Sequence, residues 1–255
     1  MKILSGILGL TLSSVVALAS ANAADMYRPS EGGYKDAPYV GVNWSGLYLG
    51  ANVGGAWGTD KVHDVNIDWC SGVGINVGLC TYNNNASGVF GGGQLGFNVQ
   101  RGNIVFGPEV DLGYMDLSHT AWQVAGLSSS TVSPGFYADV TARLGYAVDR
   151  TLVYAKGGYA YYGGSLSNWT DDSPNHNGST SGLNGWTLGG GLEYKINPSL
   201  SLKAEYLHFD FGSVTNTVEQ GGQCTGPCPF SNKLTIDTAK IGVNYFVNSA
   251  YEPLK

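Results

Sequence analysis

Ten ionisable side chains share one parity of the alternating segments of this chain: Glu109, Asp111, Asp139, Glu193 and Glu205, with Arg143, Lys156, Lys195, Lys203 and Lys240. The whole chain of 255 residues holds only 13 Lys plus Arg and 19 Asp plus Glu, so this face takes a large share of them. An unpaired charge in an enclosed space is costly to desolvate. Five acids matched by five bases therefore suit mutual pairing inside a polar interior. Lys195 and Glu109 are the members expected nearest a rim, where water would solvate them.

Cysteines and histidines are the other groups able to do chemistry. Cys70 and Cys80 share one polar stretch, and Cys224 and Cys228 flank Thr225-Gly226-Pro227 in another. In an exported chain the surrounding space is oxidising. Cys70–Cys80 and Cys224–Cys228 are the expected disulfides, with pairing between the two stretches and a cysteine metal site as rivals. His63, His119, His176 and His208 fall in or near long polar segments. His119 and His176 are candidate ligands for haem or a metal, since imidazole suits both. The alternative is four unrelated surface histidines. His208, Glu205 and Ser201 or Ser213 would be the parts of an acyl-cleaving site, but parity sends His208 and Glu205 to opposite faces. Neither Gly91–Gly93 nor Gly189–Gly191 precedes a helix or a Lys-Ser/Thr pair, so a phosphate loop fails. No catalytic residue, cofactor or metal site is expected.

The elements that must position these groups are strands. Between Gly88 and Leu117, Val89, Leu95, Phe97 and Val99 share one parity, and Gln94, Gly96, Asn98 and Gln100 share the other. After Arg101-Gly102-Asn103 the pattern resumes, with Phe106, Val110, Leu112 and Tyr114 opposite Glu109, Asp111 and Gly113. Period two over such lengths reads as strand, and two runs across a short Gly-containing turn read as a hairpin. Similar runs are expected at about 44–57, 134–147, 151–162, 183–195, 199–209 and 234–246. Tight turns at 101–103, 148–150 and 196–198 alternate with long polar segments at 58–87, 118–133, 163–182 and 210–233. The count is eight strands, with short turns at one end and long loops at the other.

The apolar parity ends in aromatics: Trp57, Tyr114, Phe136, Tyr146, Tyr159, Tyr161, Trp186, Tyr194, Tyr206 and Tyr245. Amphipathic rings near strand ends suit the headgroup depth of a bilayer. Residues 1–23 read as a secretory signal, with a basic start, an apolar run and Ala21-Asn22-Ala23 as the cleavage site. No later run is apolar enough for a spanning helix, so any membrane would be crossed as a closed barrel. Residues 24–43 read as a polar periplasmic lead, 44–246 as the barrel and 247–255 as a tail. A net charge of -6 argues against a nucleic-acid partner. The 39 glycines follow no triplet period, which excludes collagen.

Several stretches resemble a known group. These are Ala23-Ala24-Asp25, Asn43-Trp44-Ser45-Gly46-Leu47-Tyr48-Leu49-Gly50, Val53-Gly54-Gly55-Ala56-Trp57-Gly58, Gly91-Gly92-Gly93-Gln94-Leu95-Gly96-Phe97-Asn98, Arg143-Leu144-Gly145-Tyr146, Gly189-Gly190-Gly191-Leu192-Glu193-Tyr194, Lys203-Ala204-Glu205-Tyr206 and Val243-Asn244-Tyr245-Phe246. Their order and spacing are similar to those of the small outer-membrane β-barrel proteins of alphaproteobacteria, the 25/31-kDa surface-antigen family. The resemblance implies an envelope and surface-antigen role, a porin-family label, and haem binding as in some members. It also implies outer-membrane lipid, lipopolysaccharide and the outer-membrane assembly machinery as partners, with haem or a host surface ligand as further ones. Family chains end at the terminal aromatic, whereas here Phe246 is followed by residues 247–255.

The expectation is an all-β, eight-stranded, antiparallel, up-and-down transmembrane barrel of outer-membrane type. Its long loops face outside and both termini face the periplasm. Eight strands enclose a width that side chains can fill, so a wide channel is not expected. The expected role is envelope structure and surface contact, not enzymatic. The rival roles are haem or small-ligand binding at the loops and a narrow diffusion channel.

Overall fold

The computed structural model describes residues 42–64, 81–123, 128–170, 177–218 and 228–247. The regular elements among them are strands: β1 Gly46–Asp64, β2 Thr81–Arg101, β3 Ile104–Met115, β4 His119–Gln123, β5 Ser128–Val132, β6 Gly135–Val148, β7 Thr151–Thr170, β8 Asn177–Asn197, β9 Leu200–Val218 and β10 Cys228–Phe246. The expected signal at 1–23, most of the lead and nearly all of the tail lie outside the described residues. All strands pair antiparallel in one sheet, ordered β4-β5-β7-β6-β3-β2-β1-β10-β9-β8, with β7 also paired to β8. The architecture is an all-β, barrel-like fold.

The strand count differs from the expected eight, because ten are present among the described residues. β4 and β5 lie inside the Ser-rich segment 118–133 that composition marks as loop. They pair with each other, and β5 pairs with Leu166–Thr170 at the far end of β7. The other long segments are shorter than expected for the same reason. β1 runs on to Asp64 and β2 starts at Thr81. β7 reaches Thr170, β9 reaches Val218 and β10 starts at Cys228. Above a membrane both faces of a strand may be polar, so Asn, Ser and Thr carry the pairing with no apolar stripe to announce it. Burial still alternates there: Asn84 and Ala86 are buried while Asn83 and Asn85 are exposed.

Two tight turns fall where expected, at Gly102-Asn103 and Asp149-Arg150, while the third, expected at 196–198, lies at Pro198-Ser199 because β8 runs on to Asn197. Gly102 has φ 58° and Asp149 has φ 51°. Two-residue hairpin turns need such left-handed residues, and Asp is among the few side chains that tolerate the conformation.

The faces separate as the alternation requires. Leu95, Val140 and Leu188 are each more than half exposed, while Asp111 is fully buried and Arg143 is 2 % exposed. The outward parity of β1, Leu47, Leu49, Val53 and Trp57, is exposed throughout. A continuous apolar wall of this kind is stable against hydrocarbon and not against water. Val110, on the outward parity, is only half-exposed.

Val140 lies midway along the apolar run of β6, so Val140→Arg should destabilise the folded protein by about 2–4 kcal/mol. Denaturant unfolding in lipid vesicles measures this. The same change at Val148, at the end of the strand, should cost far less.

Candidate functional site

The interior is layered, and β1 samples each layer in turn through Tyr48, Asn52, Ala56 and Asp60, all buried. At the turn end, Trp44, Tyr48, Val105, Leu152, Tyr154 and Phe246 form an apolar cluster. Phe246 packs against Tyr48 with ring centroids 5.3 Å apart and edge-on to Trp44 at 6.1 Å.

An ionic layer lies above that cluster. Lys156 from β7 is its centre. Its Nζ lies 2.7 Å from Glu109 Oε1, 2.7 Å from Asp111 Oδ2, 3.2 Å from Glu205 Oε1 and 3.8 Å from Asp139 Oδ1. Lys203 reaches Glu109 at 3.0 Å and Glu205 at 3.5 Å. Lys240 reaches Asp111 at 2.9 Å and Glu205 at 2.8 Å. Arg143 pairs with Glu193 at 3.0 Å and Glu109 at 3.4 Å, and its Nε donates to Asn98 at 2.9 Å. All of these charged groups are almost wholly buried. The geometry brings eight of the ten charges into one network with Asp139 at its margin, directly opposite Asp111 in the β3–β6 register.

Lys195 stands apart. It donates to the carbonyls of Asn43 at 2.7 Å and Pro198 at 3.1 Å, with its ammonium 3.8 Å from the Phe246 ring centre. Glu109, expected near a rim, is instead fully buried and contacts Arg143, Lys156 and Lys203. Register buries it: Glu109 lies opposite Gly96 and Thr141, several residues in from the turn.

Parity alone does not identify the two tyrosines that complete the network. The Tyr48 and Tyr154 rings lie 4.7 and 5.1 Å from the Arg143 guanidinium carbon, and their hydroxyls donate to Glu109 at 2.6 Å and Glu205 at 2.7 Å. Such cation–π contacts strengthen when desolvated. Each ring needs a glycine beneath it: a Cβ on Gly96 would collide with Tyr48, and one on Gly191 would press on Tyr154. Neutral side chains meet some of the remaining valences, while Arg143 Nη2 and both Asp139 oxygens have no hydrogen-bond partner among the described residues. Ser201 donates to Glu193 at 2.5 Å, Asn244 to Glu193 at 2.8 Å, and Asn52 to Gln94 at 2.5 Å and to Asp111 at 3.2 Å. All of these residues share the parity of the charges, which is the signal that could have found them.

On the loop side of the ionic layer, Phe90, Met115, Tyr137, Leu207, Phe209 and Ile236 belong to a second buried apolar cluster. Phe90 meets Tyr137 edge-on at 5.6 Å, and Phe209 stacks on Phe211 at 6.1 Å. The sequence alone gives no hint of this layer, because no strand contributes more than three of its buried residues.

The remaining candidates do not converge. His119 is exposed on β4, and its carbonyl accepts from Asn84 at 3.4 Å. His176, Cys70, Cys80 and Cys224 lie outside the described residues, so the expected disulfides and the second haem ligand do too. Cys228 opens β10, paired through its backbone with Val218. His208 is turned to the outer wall, where its Nδ1 lies 2.8 Å from Asp237, which also accepts from Tyr206 at 2.6 Å. Ser201 and Glu205 are buried inside. Carboxylate oxygens of Glu109, Asp111 and Glu205 lie within 4.8 Å of one another, close enough for a cation. The ammonium groups of Lys156, Lys203 and Lys240 already occupy their reach.

Residues 10–246 match the family model described as outer membrane protein beta-barrel domain. The chain is 34% identical over 244 residues to the 31 kDa outer-membrane immunogenic protein of Brucella melitensis, covering 92% of this chain and 97% of that one. It is 29% identical over 156 residues to a 22 kDa outer membrane protein of Rhizobium leguminosarum, covering 60% of this chain and 64% of that one. Among solved structures, Neisserial surface protein A aligns over 80% of this chain and 98% of its own, with a TM-score of 0.39 and 12% identity.

Breaking a buried ion pair from one side costs about 3–5 kcal/mol, because the other charge is left uncompensated. Lys156→Met should lose stability on that scale in guanidinium unfolding. Replacing the exposed Lys61 in the same way should leave the midpoint unchanged.

Proposed function

The chain belongs to the outer-membrane β-barrel protein family, small surface proteins of Brucella and related alphaproteobacteria, and from that membership we propose a self-sealed barrel that serves envelope structure and surface contact. It is a protein of the outer membrane with surface-exposed loops, and its role is structural and non-enzymatic, in keeping with relatives named as outer-membrane immunogens. The finer reading is that β1, β2, β3, β6, β7, β8, β9 and β10 form an eight-membered transmembrane wall. The successive pairings from β7 through β6, β3, β2, β1, β10 and β9 to β8, with β8 paired back to β7, support it. On this reading β4 and β5 are a hairpin standing above the wall, the loops face outside, and both termini face the periplasm.

The observation that carries the sealed reading is the stacking of layers. Below the polar layer around Asp60, a solute would meet the apolar layer around Phe90, Tyr137 and Phe209. Next it would have to part the Lys156 and Arg143 contacts, and finally pass the Trp44–Tyr48–Phe246 cluster. Hydrophobic constrictions block ions by staying dry, and charges already bonded to one another offer no replacement for an ion's hydration shell. Lipid, lipopolysaccharide and the assembly machinery are the partners this role entails.

Purified protein in planar bilayers should show no steady ion conductance. Replacing Phe90 and Phe209 together by serine should admit water and produce brief openings. Sustained conductance of the unaltered protein would sink the sealed reading and favour a narrow channel.

A further inference from the structure

Asp60 lies beyond Trp57, the last outward aromatic of β1, and so above the apolar wall. It is fully buried, as is Asn84, its directly opposed partner on β2. Asp60 uses one carboxylate oxygen twice: Oδ2 accepts from Ser130 Oγ at 2.9 Å and from Asn232 Nδ2 at 2.8 Å. Its Oδ1 has no hydrogen-bond partner among the described residues. Asn84 is arranged in the same way, with its amide nitrogen donating to the Ser130 carbonyl at 2.8 Å and its Oδ1 unpartnered. Among the described residues, two buried oxygens, one of them a carboxyl oxygen, are therefore left without donors on paired positions whose Cβ atoms are about 4.5–5.5 Å apart.

The contrast with the ionic layer is sharp. Every carboxylate there has a Lys or Arg within reach, whereas among the described residues no cationic side chain pairs with Asp60. Lys61 on the same strand is exposed on the opposite parity, and Lys233 pairs with Asp210 at 3.2 Å. Burial pushes the Asp60 carboxyl pKa up, and the hydrogen bonds from Asn232 and Ser130 oppose that push. Two bonds to a single oxygen hold the carboxyl group in place. A buried anion without a counter-charge is expensive. It needs either a proton or a cation.

We propose that Asp60 and Asn84 bind a calcium ion at the loop end of the barrel interior, through Asp60 Oδ1 and Asn84 Oδ1. Calcium takes six to eight oxygens, carboxylate and amide carbonyl among them, in flexible geometry, and waters complete the shell. Magnesium demands near-ideal octahedral geometry and dehydrates reluctantly, which suits two fixed side-chain oxygens less well. A single carboxylate sets a weak site, with a Kd of about 10⁻⁴–10⁻³ M, typical of extracellular modules. The ion would join β1 to β2 and, through Ser130 and Asn232, to β5 and β10.

The test uses the full chain refolded in detergent micelles. A calcium concentration tenfold above half-saturation should raise the folded-to-unfolded ratio about elevenfold. Equimolar magnesium should do much less. Asp60→Asn keeps an acceptor for Ser130 and Asn232 and should abolish the calcium shift. Asp237→Asn, on the outer wall, should keep it. Terbium luminescence, excited through Tyr82 close to Asp60, gives a readout on the unaltered chain and should be quenched by calcium in the millimolar range. If calcium shifts nothing in the wild type, or shifts Asp60→Asn equally, or if terbium shows no calcium-reversible signal, the assignment is overturned and Asp60 holds a proton or water.

Discussion

Hydrocarbon offers an amide group nothing to bond with, so every backbone N–H and C=O at membrane depth must find its partner on a neighbouring strand. That single requirement organises this chain. It forces uninterrupted antiparallel pairing, and uninterrupted pairing forces each side chain to one of two faces. The outward face has no choice but to be apolar, as Leu95, Val140 and Leu188 show. Everything else the sequence must accommodate, the charges above all, is pushed to the inward face. The lipid-facing wall is thus the cause of the polar interior.

The interior resolves the resulting problem by local sufficiency. Lys156 lies within 4.0 Å of four carboxylates, and Arg143 is held between two tyrosine rings while bonded to two glutamates. In a low dielectric such contacts are strong only when each charge is matched and each leftover lone pair is met by a neutral donor. Ser201 and Asn244 supply such donors to Glu193 and Asn52 supplies one to Asp111, while both Asp139 oxygens go without. A polar inward parity also keeps every strand segment from becoming continuously apolar, which would read as a spanning helix on the way to the outer membrane.

Where one parity is apolar and the other polar, the sequence specifies the strand, its register and its faces, and the hairpin around Gly102 is legible residue by residue. Where both parities are polar the same strands continue unseen. Asn83 to Asn85 and Ser128 to Thr131 look like loop because composition, not alternation, is what the eye weighs there. The charged network was legible as a set of residues and not as a geometry. Parity says that Glu109 points inward, but whether it meets water or Lys156 depends on how far it sits from the turn and what stands opposite. Tyr48 and Tyr154 escaped because an inward tyrosine reads as filling. Their role follows only once Gly96 and Gly191 are found beneath them.

The strands do not stop where the apolar wall does. β1 and β2 stay in register from Gly46 to His63, well past Trp57, and β9 and β10 stay paired out to Val218 and Cys228 across one register shift between Lys233 and Thr235. The rungs of that projecting collar are main-chain bonds, indifferent to which side chains they carry. Mutation can therefore rewrite its outer surface freely without loosening the scaffold, while inward positions such as Asp60, Asn84 and Asn232 stay tied to one another. A molecule recognised from outside thus has a rigid pedestal on which to vary its face.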